Sequence, residues 1–581
     1  MNNNLQDKTA LVFGEDTRSF LSVIRSLAKA GMRVDVVTFS NLSPALKSKY
    51  INYIYYINYQ AYSDQEWREE IEHILLEKDY DIAIPCDERA LYPLIEFQKN
   101  LAVKTKFAVP DGSKLGPLFN KVETRLLAEK QGIPVAKGTL LDISDKSFKQ
   151  LSQLYGSPIV LKPAQSYSSE KLNQRNSVQI AKTEADFEQF KQHNQYCLVE
   201  SYFAGYGVGV SILAKGGEVE AAFAHARVSE PESGGGSSYR KAIAIDSGML
   251  NACQKFCLAL KYDGVAMFEF KFNPKTKDWI LIEINARFWG SLPLAVFAGV
   301  DFPALYACNL LGITIEPKLT YNAYAYARNF TSDIYDIRSE FDVYRSKGLV
   351  FKGIQKALTR LSGFLRLVIR LESIDSLAKN DRAPFFAEFN DLFVDKINEL
   401  PFFKNRKRQK TLQKFKQQIQ KPISEILVVC YGNIMRSSFA GELLKQKLAA
   451  AGINDIQIQS YGFHQNENRS CPAKCIAMAK NWDVDLSKHQ SKWLKQSHIK
   501  EKGQLIIIFD NKNEFYLKNY YTNTNALILA SIIPPKYGFV SQIEDPYDHD
   551  EEYLHHCYKL IDISLTVLCD ELKQVNKGVN R

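Results

Sequence analysis

The stretch that most limits how this chain can fold is ILVVCYGNIMRSS, residues 426–438. Ile426 to Cys430 is an uninterrupted apolar run, too short for a helix and suited to a strand buried on both faces. Five residues separate Cys430 from Arg436, which opens a helix whose apolar face is Phe439, Leu443, Leu444 and Leu448, with Gly452 placed to end it. A loop of that length between a strand end and a helix start turns successive backbone N–H groups inward, forming a nest for a tetrahedral oxyanion. The same donors favour a thiolate at the rim. Arg436 can grip two phosphate oxygens in a fork, and Ser437 can donate to the sulfur and help it leave.

Further pieces follow in order: Ser460-Tyr461-Gly462, Asp485 to Lys492, Asp510-Asn511-Lys512-Asn513 after an apolar strand at Leu505–Phe509, and Asp545-Pro546-Tyr547. With these, residues 422–575 resemble the low-molecular-weight protein tyrosine phosphatases. The resemblance implies a four-stranded parallel sheet of Rossmann-like type. It also implies Cys430 as nucleophile, Arg436 as phosphate clamp, Asp545 as proton donor to the leaving oxygen, and Asn433 shaping the loop. Met435 stands where a second cysteine is common and Ser438 where proline is usual, which bears on a protective disulfide and not on the chemistry.

A length of 581 residues implies several domains. The first residues carry no basic segment followed by an apolar one, and no run of 18 apolar residues occurs, so neither a secretory signal nor a membrane span is expected. Ten cysteines without a regular framework fit free thiols in a reducing cytoplasm. The tightest pair, Cys471 and Cys475, has no second pair to complete a zinc site. Of the net charge of +9, eight positive charges fall between Lys404 and Lys421, where no acid occurs. That is a basic linker and not a globally basic nucleic-acid binder.

Residues 9–110 alternate strand and helix: Thr9–Phe13, Ser19–Ala30, Arg33–Thr38, Asp81–Pro85 and Phe107–Val109. This predicts a doubly wound, mostly parallel sheet with ligands beyond its carboxyl ends, where Asp87 and Glu88 serve either as substrate contacts or as turn formers. The first strand is not followed by the Gly-rich dinucleotide fingerprint, so a nicotinamide cofactor is not supported. From Lys121 a helix leads to Pro158–Pro163, a strand carrying Lys162 inward. A polar stretch, Gln165–Asn176, reads as a lid. The buried strand Cys197–Glu200 precedes a Gly-rich return at Gly205, Gly207 and Gly209. The run Ser233-Gly234-Gly235-Gly236-Ser237-Ser238 can approach a ligand closely. Strands Ala266–Phe272 and Ile280–Ile284 present Glu269, Glu283 and Asn285, with Arg287 beyond. Two lysines on separate elements suit nucleotide phosphates, the three oxygen donors suit Mg²⁺, and Arg287 can neutralise a transferred phosphoryl group.

With Phe119-Asn120-Lys121, Val160-Leu161-Lys162-Pro163, the Leu198–Glu200 strand and Ile282 to Ser291, residues 9–320 resemble ATP-grasp enzymes of the carboxylate–amine ligase type. The resemblance implies a Rossmann-like domain before the ATP-grasp domain proper (1–110 and 111–330). It implies ATP-dependent phosphorylation of a small carboxylate to an acyl phosphate, which an amine attacks to give an amide. Lys121 and Lys162 would bind phosphates, and Glu200 with Leu198 and Val199 would lie on the adenine side. Glu269, Glu283 and Asn285 would hold Mg²⁺, with Mn²⁺ as an alternative. Arg287 would steady the acyl phosphate, and Arg227 with Ser233–Ser238 would face phosphate or substrate. An acid for the ribose is absent where Gly205–Gly209 stands.

Between the two halves, 331–421 is a helical segment and linker. Leu349–Leu371 sets Val350, Ile354, Leu358, Leu361 and Leu365 at helical spacing among Lys352, Lys356, Arg360 and Arg366. The favoured reading is a helix packed on the ligase with its charges in solvent; peripheral contact with an anionic membrane is the alternative. The whole reads as a cytoplasmic bifunctional enzyme, with small-molecule carboxylate and amine substrates and a phosphorylated protein or metabolite for the phosphatase. Two alternatives stand: a phosphatase fold that only binds phosphopeptides, or an ATP-grasp half that is a kinase whose product the other half dephosphorylates. A homo-oligomer is open.

Overall fold

The apolar runs of residues 9–110 assemble as the alternation requires. In a computed structural model, β1 (Thr9–Phe13), β2 (Arg33–Thr38), β3 (Ile51–Tyr56), β4 (Ile82–Pro85) and β5 (Lys106–Phe107) form a wholly parallel sheet in the order β3-β2-β1-β4-β5. β1 and β4 are buried on both faces, as interior strands of such a sheet must be. The structure describes residues 5–57, 62–164, 178–192, 194–229, 237–399, 409, 412–413, 415–417, 419–522, 524, 526–534, 537, 540, 542–547 and 549–579. The lid stretch Gln165–Asn176, the residues Ser233, Gly234, Gly235 and Gly236, and most of the basic linker lie outside them. The chain divides into two compact units, Met1–Ile57 with Arg68–Asn390, and Asn58–Trp67 with Asp391–Arg581.

The first unit carries two more sheets. β6 (Gly138–Asp142), β7 (Ile159–Lys162), β8 (Gln179–Ala181) and β9 (Tyr196–Ser201) pair antiparallel in the order β6-β9-β7-β8. A seven-stranded sheet follows: β10 (Tyr206–Lys215), β11 (Glu218–Arg227), β12 (Tyr239–Ile243), β13 (Gly264–Phe272), β14 (Trp279–Asn285), β15 (Tyr326–Arg328) and β16 (Glu372–Ile374), ordered β14-β13-β10-β11-β12-β15-β16. The glycines expected to make a return after β9 instead lie along β10 or just before it. At Gly209 a Cβ would stand 2.2 Å from the His225 ring on β11, so a larger residue would push the two strands apart.

The segment after β15 corrects the favoured sequence reading. It forms the helices Phe330–Ser346 and Val350–Ser362, which close on each other where Gly353 meets Phe341 and Tyr344. Lys352, Lys356 and Arg360 turn toward the first of these helices and line a cavity there. Phe351, 91% exposed, and Ile354, Leu358, Leu365 and Val368 face outward. The reason is electrostatic: Asp333, Asp336 and Glu340 sit on the facing helix and draw the bases inward, with Arg360 bonded to Asp333 at 2.5 Å.

Buried charges tie this segment to the rest of its unit. Arg328 on β15 binds Asp333 at 2.7 Å and also Glu372 on β16. Arg240 on β12 binds Asp375 at 2.6 Å, and Arg25 from the first parallel sheet's helix binds Asp381 at 2.8 Å.

In the second unit β17 (Glu425–Cys430), β18 (Gln457–Gly462), β19 (Gln504–Ile508) and β20 (Ala526–Ile528) form the expected four-stranded parallel sheet, ordered β18-β17-β19-β20. Helix Arg436–Ala450 packs on it, and Phe439 stacks flat on Tyr558 at 3.8 Å between ring centres. Leu427, Val428 and Val429 are fully buried, each contributing roughly 1.5–3 kcal/mol of apolar burial.

Candidate active sites

In the second unit the site is set by the end of β17. Cys430 is its last residue, and the turn that follows needs one left-handed residue, supplied by Asn433 at φ 53°. An asparagine tolerates that conformation because its side chain finds local partners. Here Asn433 Nδ2 donates to Ser437 Oγ at 2.9 Å, and Asn433 Oδ1 accepts from Lys492 N at 2.8 Å. The Asn433 N–H points back at Cys430 Sγ, 3.2 Å away, and Ser437 Oγ lies 3.1 Å from the same sulfur. His489 Nε2 lies 2.8 Å from Asn433 O, and Arg469 donates to Gly432 O at 2.6 Å. Sequence reasoning passed over Arg469 and took His489 and Lys492 only as parts of a motif. All three bond to Gly432 or Asn433 of the loop from 37 to 59 residues away, contacts no local pattern announces.

Arg436 is 1% exposed. Its guanidinium donates to Asp510 at 2.5 Å, to the Ile543 carbonyl at 2.9 Å and to Asp545 at 2.6 Å. Burial works against its charge, and Cys430, Asp545 and Asp510 outweigh it, so its pKa is raised. Asp510 also caps helix Asn511–Tyr520 through Asn513 N, which fixes the carboxylate that aims the guanidinium. The five residues expected for this chemistry, Cys430, Asn433, Arg436, Ser437 and Asp545, therefore meet around one sulfur and one guanidinium. The array can hold a tetrahedral dianion against a thiol.

In the first unit Lys121, Glu283, Asn285 and Arg287 line one cavity of about 190 Å³ together with Glu88, Tyr92 and Thr124. Arg287 donates twice to Glu88 Oε1, at 2.9 and 2.7 Å, so one of the two acids beyond β4 reaches this cavity. The other, Asp87, caps helix Glu88–Asn100. Glu269 and Glu283 stand opposite each other on β13 and β14, and Asn285 lies two register pairs away, beside Met267. Burial raises the Glu269 carboxyl; Arg227, 2.9 Å away, pulls it down and Glu283 pushes it up. Two carboxylates and an amide crowded at one sheet end form a hard-oxygen donor set, and the carboxylates' mutual repulsion is relieved by a divalent cation. These residues fit Mg²⁺.

Lys162 is buried and bonded to Glu200 at 2.6 Å, and Arg125, which sequence reasoning missed, reaches the same carboxylate at 3.2 Å. Glu200, Leu198 and Val199 lie in the interior strand β9, their backbones laddered to β6 on one side and β7 on the other. Gly138 permits this, since a Cβ there would stand 2.6 Å from Glu200 Cγ. Ser237 donates to the carbonyls of Ser229 and Tyr239, and Ser238 to Asp336. Arg227 reaches Glu269 from β11.

Comparison with known proteins bears on both units. Residues 425–579 match the family described as low molecular weight phosphotyrosine protein phosphatase. Residues 193–328 match the family described as ATP-grasp in the biosynthetic pathway with Ter operon. A low molecular weight protein-tyrosine-phosphatase of Acinetobacter johnsonii is 26% identical over 136 residues, which is 23% of this chain and 89% of that protein. Among solved structures, the biotin carboxylase domain of a Hydrogenobacter thermophilus 2-oxoglutarate carboxylase, determined with MgADP, ADP and bicarbonate, is similar at 14% identity. It covers 55% of this chain and 73% of that one, with a TM-score of 0.45. An N5-carboxyaminoimidazole synthetase of Staphylococcus aureus is similar at 13% identity, covering 55% and 82%, with a TM-score of 0.43.

Proposed function

We propose that this chain, which joins an ATP-grasp segment to a low molecular weight phosphotyrosine phosphatase domain, is bifunctional. One half ligates a carboxylate to an amine with ATP, and the other hydrolyses a phosphomonoester through a cysteinyl phosphate. The observation that carries the reading is that Ser437 Oγ and the Asn433 N–H both contact the Cys430 sulfur, while Arg436, six residues on, is bonded to Asp545.

In the hydrolase half the Cys430 thiolate attacks phosphorus, the P–O bond to the leaving group breaks, and Asp545 gives that oxygen its proton. Water then attacks phosphorus, Asp545 takes a proton back, the S–P bond breaks and the thiolate departs with Ser437 donating to it. Arg436 and the loop N–H groups hold the equatorial oxygens throughout.

In the ligase half Lys121 and Lys162 neutralise nucleotide phosphates, and Glu200, 2.6 Å from Lys162, aims its ammonium. Glu269, Glu283 and Asn285 would hold Mg²⁺, which screens phosphate charge when bound. Arg287, oriented by Glu88, faces the carboxylate, whose oxygen attacks the γ-phosphorus of ATP; the β–γ P–O bond breaks, ADP leaves and an acyl phosphate remains. The amine nitrogen then attacks the acyl carbon, the C–O bond to phosphate breaks, and the nitrogen loses its proton.

The test is p-nitrophenyl phosphate turnover by the wild-type chain and by Cys430→Ser, with acid-quench trapping of phosphate on the wild-type protein. Turnover and a trapped phosphocysteine, both lost in Cys430→Ser, are expected. Turnover that survives the substitution would overturn the hydrolase half. Equilibrium binding of Mg–ADP, weakened by Lys162→Met, tests the other half.

A further inference from the structure

A second, much larger cavity lies beside the ligase site. Its floor is the seven-stranded sheet, with Tyr239 and Lys241 of β12 and Tyr326 of β15, and its wall is the helix pair Phe330–Ser346 and Val350–Ser362. It measures about 1240 Å³, above the roughly 300–1,000 Å³ usual for small-ligand pockets. Seven of its lining side chains are basic and two, Asp336 and Glu340, are acidic. Those acids are engaged with Arg360, at 3.7 and 3.9 Å, and Glu340 with Lys356 at 3.8 Å. Among the described residues no carboxylate stands within ion-pair distance of Lys241 or Lys352. Arg366 is already engaged: it lies 4.4 Å from the Tyr326 ring centre, donates to Tyr239 Oη at 2.8 Å and stands 4.0 Å from Glu372.

Concentrated positive charge facing a shared, half-enclosed volume raises the local concentration of small anions and is itself relieved by one. A lone carboxylate needs a single guanidinium fork. Bases on both the floor and the helix wall match a ligand with at least two further negative charges. The cavity also has a direction. Arg227 lines it and is bonded at 2.9 Å to Glu269, which faces Glu283 across the β13–β14 ladder. A ligand anchored among the lysines therefore extends toward the candidate metal carboxylates.

We propose that this cavity is the co-substrate site of the ligase and takes a phosphorylated small molecule, its phosphate held by Lys241, Lys352 and Lys356 and its reacting end directed to Arg227. This rests on the ligase reading, and it makes the phosphate on that molecule a group the second unit's chemistry is equipped to remove.

The test is calorimetric titration of the full chain carrying Cys430→Ser, saturated with Mg–ADP, using 3-phosphoglycerate, glycerate and citrate as probes. The same titrations are run on that chain with Lys241→Gln, on the floor, and with Lys352→Gln plus Lys356→Gln, on the helix wall. At least a tenfold loss of 3-phosphoglycerate affinity in both variants is expected, with glycerate at least tenfold weaker throughout. Mg–ADP affinity, and p-nitrophenyl phosphate turnover with Cys430 restored, should not change, which also reports folding. Unchanged 3-phosphoglycerate affinity in both variants would overturn the site. Citrate bound more tightly than 3-phosphoglycerate would overturn the assignment to phosphate. If Mg–ADP does not bind while the lysine variants still lose 3-phosphoglycerate, the ligase reading fails and the anion site stands.

Discussion

Arg436 Nη2 lies 2.6 Å from Asp545 Oδ2, so the guanidinium that would clamp a phosphate and the carboxyl that would protonate the leaving oxygen are bonded to each other. An incoming dianion competes with Asp545 for that guanidinium. Asp545→Asn should therefore lower kcat for p-nitrophenyl phosphate by about 10²–10⁴-fold, the range for losing a general acid. Inhibition by vanadate should stay as strong or strengthen, because the charged competitor is gone. Equal losses in turnover and vanadate affinity would mean that Asp545 only supports the loop.

Ser437 Oγ sits between Cys430 Sγ and the Tyr461 carbonyl, 3.1 and 3.2 Å away. Ser437→Ala removes a hydrogen bond to the departing thiolate and should slow the second step more than the first. Stopped-flow measurement should then show a burst of p-nitrophenol followed by slow turnover, with the steady rate reduced by roughly 10-fold or more, since a hydrogen bond to a charged group is worth about 1.5–3 kcal/mol. Loss of the burst and the steady rate together would place the serine's role in the first step.

Much of this was legible in the sequence where one short stretch carries the geometry. The strand to Cys430, the loop and the helix from Arg436 are consecutive, so apolar runs and spacing fix their order and the sheet they enter. Asp510 belongs to a recognisable motif, yet its bond to Arg436 spans 74 residues and follows from no local period. Glu88 and Arg287 are 199 residues apart, and either could have been a solvated strand end. The helix pair misled for a different reason. The pattern at 350–369 separates apolar from basic positions correctly, but which face turns inward is decided by Asp333, Asp336 and Glu340 on a neighbouring helix. The periodicity of one helix holds no information about that neighbour.

Glu88 holds Arg287 by two bonds from one carboxylate oxygen. Glu88→Gln should reduce ADP formation by about 10–100-fold through misplacement of the guanidinium, with Mg–ADP affinity unchanged. Arg287→Lys should cost at least as much, because an ammonium cannot reproduce the fork. Parallel loss of nucleotide binding would contradict a role at the carboxylate end.

His225 is buried between the sheet strands, and burial, with Arg240 and Arg227 nearby, lowers its pKa to about 3. Unfolded, it titrates near 6.5. Above that value both states are neutral and His225 adds no pH dependence. Below it the unfolded chain binds a proton that the fold does not, so stability falls as pH falls. Between pH 6.5 and 5 this contributes a loss of about 2 kcal/mol for the first unit. Denaturant titration at both pH values should show that loss, and His225→Gln should remove it. An unchanged pH slope in His225→Gln would contradict the assignment.

Arg328 is fully buried between Asp333 and Glu372, and its removal leaves two carboxylates without their shared partner. Arg328→Met should destabilise the first unit by roughly 3–5 kcal/mol. Adding Asp333→Asn and Glu372→Gln to it should recover a large part. A loss below about 1 kcal/mol in urea titration would show that the cluster does not anchor the helix pair.

The most direct test of a two-activity chain is ADP release by Cys430→Ser with Mg²⁺ and ATP, screened across pairs of carboxylates and amines. The substitution stops the hydrolase half from consuming phosphorylated species, and ADP, not phosphate, is read. ADP that requires both partners and disappears in Glu283→Ala is the expected result. ADP with the carboxylate alone, accompanied by an accumulating phosphorylated product, would contradict ligation and make the first unit a kinase.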